Sequence, residues 1–425
     1  MERMLNISLF SLFHHDVLYL DKTFAFNSQN LYSLLKKETN YEIKEFAEVF
    51  QSIVAKNING CNSEEISLTL TGGMDSRIIL ACLLKAGIKP NCLTFGNPNT
   101  KDVVFAKQIA ESFNLPFHNS CQKKPTKDWY YKWVVETIKR DNGNAHLHRA
   151  HRTAAIAEHT EKYDPTVLFT GHMGGEGLRG LTYNNYFASP FFEIVNEEKT
   201  NIKEAARKVL HNYFVKTENI NYDALIEEIL SLPWMKHDKK TNNFFFLYEL
   251  VAKIHHAQDI RLFNTYIPRV IPVYLQNNYL ETLFSSNYHF MAKGNGLIGR
   301  LKNPYVYCKL LEIIYPKLLD YPLANGYTPR EYQKGLLYYV PLKFYRDFTQ
   351  NNKYPPSFSY GIWYQEFVKE HANNINPEIW DIFDKNRYMH ALYNNVHRTD
   401  EGYWHKFSNP IYFDLVEKYK RGEQN

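Results

Sequence analysis

Cysteine is scarce in this 425-residue chain: the five present, Cys61, Cys82, Cys92, Cys121 and Cys308, form no Cys-x-x-Cys pair. The odd count, with no signal peptide, points to a reducing cytosol. Long apolar runs are also missing. Residues 5–20 are apolar but broken by His14, His15 and Asp16, so they suit neither a signal peptide nor a membrane span. No later window holds the ~18 uninterrupted apolar residues of a transmembrane helix. Charge of one sign is not concentrated: 50 basic and 45 acidic residues leave a net +5. The short clusters at Lys123-Lys124, 236–240 and 418–421 read as solvated faces and give nucleic-acid binding little support. Internal repeats and low-complexity segments are lacking. So are the phosphate loop Gly-x4-Gly-Lys-Ser/Thr and the dinucleotide loop Gly-x-Gly-x-x-Gly. The expectation is a cytoplasmic protein with neither nucleic acid nor membrane as partner. A hydrophobic content of 44% supports a sizeable core in one large domain or two.

What is present starts at residue 66. A run of β-formers over 66–70 ends in Thr71-Gly72-Gly73-Met74-Asp75-Ser76-Arg77, and an apolar helix is expected from Ile78. A strand, a glycine turn and a helix N-terminus let backbone N–H groups approach an anion with no Cβ in the way. Thr71 and Ser76 add hydroxyls at the two edges, and Asp75 adds a carboxylate suited to Mg²⁺. The following segment alternates: helix 77–86, strand 91–95, helix 103–113, strand 116–120, helices 131–140 and 150–161, strand 166–170. That alternation implies a parallel sheet with ligands at the carboxyl ends of its strands. The glycine turn, Phe95-Gly96 and Thr170-Gly171 all fall at such ends. The last opens a second glycine-rich run, Gly171-His172-Met173-Gly174-Gly175-Glu176-Gly177-Leu178-Arg179.

These residues resemble the N-type ATP pyrophosphatases, whose pyrophosphate loop reads Ser-Gly-Gly-x-Asp-Ser, with Thr71 here in the serine position. The resemblance runs over about residues 40–290 and points to the asparagine synthetase-like branch. It rests on Arg77 after Asp-Ser, on the second glycine loop and on the long helical C-terminal part. Thr94-Phe95-Gly96 with Asp102 and Ala106 is similar to the adenine-side segment, His118 falls where the family often carries a histidine, and Pro268-Arg269-Val270-Ile271-Pro272-Val273 resembles the stretch that packs the helical half on the nucleotide domain. The resemblance implies ATP and Mg²⁺ as cofactors. Asp75 and Glu176 would be the metal ligands, once one extra residue near Met173 is allowed. Thr71, Gly72, Gly73, Asp75, Ser76, Phe95, Gly96 and Gly171 would bind the nucleotide. Asp75, Glu176 and Arg179 would be catalytic, Arg179 facing the departing pyrophosphate. The implied fold is α/β, a parallel-sheet adenine nucleotide alpha hydrolase-like (PP-loop) domain over 59–200. A cap over 1–58 precedes it and a helical region over 201–425 follows.

Two departures matter. The glutaminase domain of the glutamine-dependent members, with its cysteine after the initiator methionine, has no counterpart here: residue 2 is Glu2 and residues 1–40 look like a remnant of such a domain. Free ammonia, an amine, or ammonia from a separate glutaminase is then expected as nitrogen donor. The family's C-terminal lysine is expected near 315–326, where Leu323 to Asn325 stand; Lys317 and Lys334 are the candidate substitutes. Between the loops, His146, His148, Arg149, His151 and Arg152 form a cluster whose i, i+2, i+5 histidines do not share a helix face. That argues against zinc and suits a carboxylate or sugar-acid substrate. The expected function is an ATP-dependent carbon–nitrogen ligase. It activates a carboxylate of a small molecule, glycan or peptide as an acyl-adenylate, releases pyrophosphate and transfers ammonia or an amine. Ammonia-dependent asparagine synthesis and a non-catalytic nucleotide-binding relative are the alternatives.

Overall fold

The computed structural model describes residues 41–120, 126–143, 145–179, 202–219, 256–289, 304–323, 326–350, 360–394 and 401–423, with Ser33, Leu34 and Ala252. Of the cap expected over residues 1–58, the first 40 residues fall almost wholly outside these residues.

The described part is an α/β structure built on five parallel strands. Helix α1 (Ile43–Ile58) opens on a capping box in which Glu42 and Glu45 satisfy each other's end of the first turn. Its Phe46, Phe50, Ile53 and Val54 recur at helical spacing and are buried. Strand β1 (Ile66–Thr69) leads through the glycine turn into α2 (Met74–Lys85). There follow β2 (Asn91–Phe95), α3 (Lys101–Ser112), β3 (Phe117–Ser120), α4 (Lys127–Arg140), α5 (Ala150–Tyr163), β4 (Val167–Thr170) and α6 (Gly174–Arg179). The sheet order is β3-β2-β1-β4-β5, all parallel. β1 is central, and its Ile66, Ser67 and Leu68 are all buried, as expected of a strand covered on both faces. From β1 the chain steps outward to β2 and β3, then returns across the sheet to place β4 on the other side of β1. The topological switch therefore lies between β1 and β4, where open α/β sheets bind ligands.

Two sequence expectations are corrected. The helix after the glycine turn starts at Met74, not Ile78, with Gly73 as its N-cap, so Asp75, Ser76 and Arg77 lie inside the first turn. And the region after residue 201, read as helical throughout, contributes the fifth strand, β5 (Arg269–Pro272), in register with β4 from Val167↔Arg269 to Thr170↔Pro272. Four residues bounded by prolines are too short to show a period of their own, and only the free edge of β4 makes them a strand.

The other described elements are helical: α7 (Ile202–Asn212), α8 (Ala257–Asn264), α9 (Asn277–Ser285), α10 (Pro304–Ile314), α11 (Pro329–Gln333), α12 (Leu336–Gln350), α13 (Tyr360–His371), α14 (Lys385–Asn394) and α15 (Glu401–Lys420). α10 packs on both α1 and α2, which closes one face of the sheet with chain from distant parts of the sequence. No described helix is long and apolar enough to cross a membrane.

Candidate functional site

The glycine turn folds tightly on its own hydroxyls. The Gly73 N–H donates to Thr71 Oγ1 at 3.1 Å, the Thr71 N–H donates to Ser76 Oγ at 3.1 Å, and the two hydroxyls stand 3.3 Å apart. The Gly72 N–H bonds the Asp102 carboxylate; burial raises that carboxyl group and the bond partly offsets it. A Cβ on Gly72 would come within 3.3 Å of Asp102 Oδ1, so α3 approaches this glycine closely and the Asp102 carboxylate would have to give way to a larger residue. Gly73 gives α2 no side-chain cap. The N-cap glycine thus brings no hydroxyl or carboxylate of its own to the first amides of that helix.

The turn after β4 meets this helix start directly. A Cβ on Gly171 would lie 3.2 Å from the Ser76 amide nitrogen, and one on Gly174 would lie 2.6 Å from both Cβ and Cγ of Asp75. Gly174 is therefore the seat of the Asp75 side chain, and no other residue fits without displacing it. Within that turn, buried Met173 adopts a left-handed φ of 67°, and the Gly174 N–H closes onto the Gly171 carbonyl at 3.2 Å. Two tyrosines from the later part of the chain complete the seat. The Tyr307 hydroxyl on α10 reaches Asp75 Oδ1 at 2.6 Å and the Gly174 carbonyl at 2.7 Å, and the Tyr274 hydroxyl donates to the Asp75 carbonyl at 2.8 Å. Neither tyrosine is marked by a local sequence signal; both are brought in by packing.

Arg77 is completely buried, and burial lowers its pKa to about 9. Its guanidinium donates to the carbonyls of Tyr321 (2.6 Å) and Pro322 (2.8 Å), with longer bonds to those of Leu318 (3.5 Å) and Gly72 (3.4 Å). It thus ties the glycine turn to the segment where the family lysine was expected. In that segment Leu323 is buried and Lys317 is exposed, while Lys334, also exposed, lies 4.8 Å above the Tyr338 ring. Ala324 and Asn325 lie outside the described residues.

Beyond β4 lies a second constellation that the sequence shows only in part. Buried Asp259 on α8 sits between two guanidiniums, Arg149 at 3.3 Å and Arg152 closer still, with His172 Nε2 at 3.4 Å. Burial by itself would raise this carboxyl group. The two arginines overcome that and hold it well below the usual carboxylate range. His172 is pushed down to about 4, by burial against the opposing pull of Asp259. His172 also bonds Thr170 Oγ1 at 3.0 Å, and its ring lies 4.8 Å from that of His256. His256 in turn faces Glu176, Nε2 to Oε1, at 3.7 Å. His172, His256 and Asp259 bring three metal-type ligand atoms within 4.8 Å of one another. With both arginines already matching the Asp259 charge, a divalent cation there would have to displace a guanidinium, so the trio is better read as an ion-pair network.

The remaining expected residues divide. Phe95 borders the cluster, with the Arg152 guanidinium 5.6 Å from its ring and His151 edge-on at 5.8 Å. Gly96 carries a φ of +115° that only glycine adopts readily, and its amide bonds the Ser120 carbonyl. His118 is not in the crevice: it stacks on His159, which bonds Ser67 inside the fold. His146 and His148 face each other, Nδ1 to Nδ1, at 2.7 Å, against Asn409 and Tyr412 of α15. The five-residue histidine–arginine cluster is thus split, Arg149 and Arg152 going to Asp259 and the first two histidines to a packing role. Arg179 ends α6, and its side chain lies outside the described residues. A cavity of about 450 Å³ beside β5, lined among others by Lys56, Asn57, Val270 and Gln276, includes none of the expected site residues. No protein-family model matches the chain, and no curated protein matches it.

Proposed function

We propose that the crevice between the ends of β1 and β4 binds ATP with Mg²⁺, and that the protein is an ATP-dependent, amide-forming ligase of the asparagine synthetase-like type on a PP-loop fold. The observation that carries the reading is the seating of Asp75 on Gly174. It joins the two glycine turns at the topological switch point and holds a carboxylate beside an uncapped helix start. The residues suit the group: Gly171 and Gly174 keep Cβ atoms off Asp75 and the Ser76 amide, and the Thr71 and Ser76 hydroxyls stand together at the same turn. Asp75 and Glu176 would hold Mg²⁺, which supplies charge neutralisation along the phosphates. The α2 amides, Thr71 and Ser76 would bind the pyrophosphate end of the nucleotide, and Phe95 and Gly96 the adenine side. A carboxylate oxygen of the acceptor attacks the α-phosphorus, pyrophosphate leaves, and ammonia or an amine then displaces AMP from the acyl carbon, losing a proton as the amide forms.

ATP·Mg²⁺ at ~100 times its dissociation constant should stabilise the fold by about 2.7 kcal/mol. An unmoved melting temperature would remove the nucleotide from the reading. With acceptor and ammonia, ¹⁸O from the acceptor carboxylate should appear in AMP. Label in free phosphate, with ADP formed, would mean an acyl-phosphate route instead. A second reading, a nucleotide binder without turnover, is favoured by the exposure of Lys317 and Lys334. It predicts the same thermal shift with no pyrophosphate release.

A further inference from the structure

Among the described residues, helix α12 is fastened on one side. Its buried Tyr339 meets Tyr327 and Tyr332 edge-on at 4.6 and 4.7 Å. Arg346 bonds both Glu331 oxygens at 2.8 and 2.9 Å and the Gly326 carbonyl at 2.7 Å. These contacts fix the inner face on α11 and the turn before it. On the outer side, Leu337, Pro341, Phe344, Tyr345 and Phe348 follow each other at three- and four-residue steps, so they form one stripe. That stripe faces outward: Leu337 is 96% exposed, Phe348 91%, Phe344 68% and Tyr345 67%, with Tyr338 half-exposed at its edge.

Large aromatic side chains each carry ~150–250 Å², so the stripe presents roughly 700 Å² of apolar surface. Single monomers seldom show a patch beyond ~300–600 Å², while each partner of a stable complex gives about 800 Å². We propose that this stripe is an isologous interface joining two copies of the chain. Four of its residues, Leu337, Pro341, Phe344 and Phe348, are spaced symmetrically about the middle of the helix. An antiparallel crossing of two α12 helices sets Leu337 of one copy against Phe348 of the other, and Pro341 against Phe344, twice by symmetry. A lipid surface fits less well, because it asks for several cations on the flanks. Among the described side chains, the flank offers Lys334 against Tyr338, Lys343 and Arg346, and Arg346 is already paired with Glu331.

The test is the mass of the full chain in solution from nanomolar to high micromolar concentration, for the wild type, Phe348→Asp, Leu337→Asp and the surface control Lys107→Ala. The wild type and the control should weigh two chains. The two aspartate variants should dissociate with a constant raised on the order of 100-fold or more, with unchanged circular-dichroism melts at monomeric concentrations. A wild type that stays monomeric at high micromolar concentration overturns the proposal, and binding of that monomer to phosphatidylserine vesicles would point to lipid. Loss of thermal stability in both variants with a monomeric wild type would mean that the chain covers the stripe itself. A dimer indifferent to both variants would place its interface elsewhere.

Discussion

Two carboxylates, one following β1 and one on α8 against the turn after β4, are held in opposite ways. Asp75, after β1, is seated on a glycine and gripped by the neutral hydroxyl of Tyr307. Asp259, beyond β4, is buried between the guanidiniums of Arg149 and Arg152. A buried carboxylate flanked by two arginines has its charge matched inside the fold, and its removal leaves cations stranded in a low dielectric. A carboxylate fixed by a hydroxyl at an uncapped helix start is oriented at much smaller energetic stake. The first arrangement is what a structural joint between helices needs. The second is what a site needs when its ligand arrives from solution.

The sharpest way to break this comparison is Asp75→Asn. The amide oxygen can still accept from Tyr307 and the side chain still fits against Gly174, so the fold should hold. Loss of the anionic ligand should lower acceptor-dependent pyrophosphate release on the order of 10³-fold or more. A variant that unfolds, or one that turns over normally, would erase the functional side of the contrast. Next in size, Asp259→Ala should cost about 3–5 kcal/mol of stability in urea unfolding, because Arg149 and Arg152 lose their anion. The double variant Asp259→Ala with Arg149→Met should recover part of that loss. A stability change within ~0.5 kcal/mol would show that the pair is not structural. The smallest expected effect is that of Tyr307→Phe. Removing one hydroxyl from Asp75 Oδ1 and the Gly174 carbonyl should cost roughly 1 kcal/mol of stability. A similar loss in turnover, near five- to tenfold, should follow from a less fixed Asp75. A loss of turnover as deep as that of Asp75→Asn would make Tyr307 part of the chemistry instead.

The alternation of strands and helices from residue 66 to 170 was legible because each element repeats its own period and the glycines punctuate it. The four strands read there form, to within a residue at their ends, and the turns after β1, β2 and β4 lie at neighbouring strand ends. Boundaries slipped where local chemistry was ambiguous: Met74-Asp75-Ser76 reads as loop by composition but is helix, with Gly73 as its N-cap. The histidine–arginine run was visible as a cluster and misleading as a unit. The run spans a short 3-10 turn (Leu147–Arg149) and the start of α5, so its side chains point to different neighbours, and no local rule says that Arg149 and Arg152 meet an aspartate 110 and 107 positions away.

What the sequence by itself determined is therefore the parallel α/β frame and the two glycine turns, since strand period, helix period and glycine placement are local properties of the chain. The tertiary structure alone decided the rest. It made a strand of Arg269–Pro272, because a proline-bounded tetrapeptide pairs only when a free sheet edge is offered. It brought Tyr274 and Tyr307 onto Asp75 from some 200 residues away and put Asp259 between two arginines. Such contacts follow from burial of the whole chain, where each buried polar group must find a partner wherever packing supplies one.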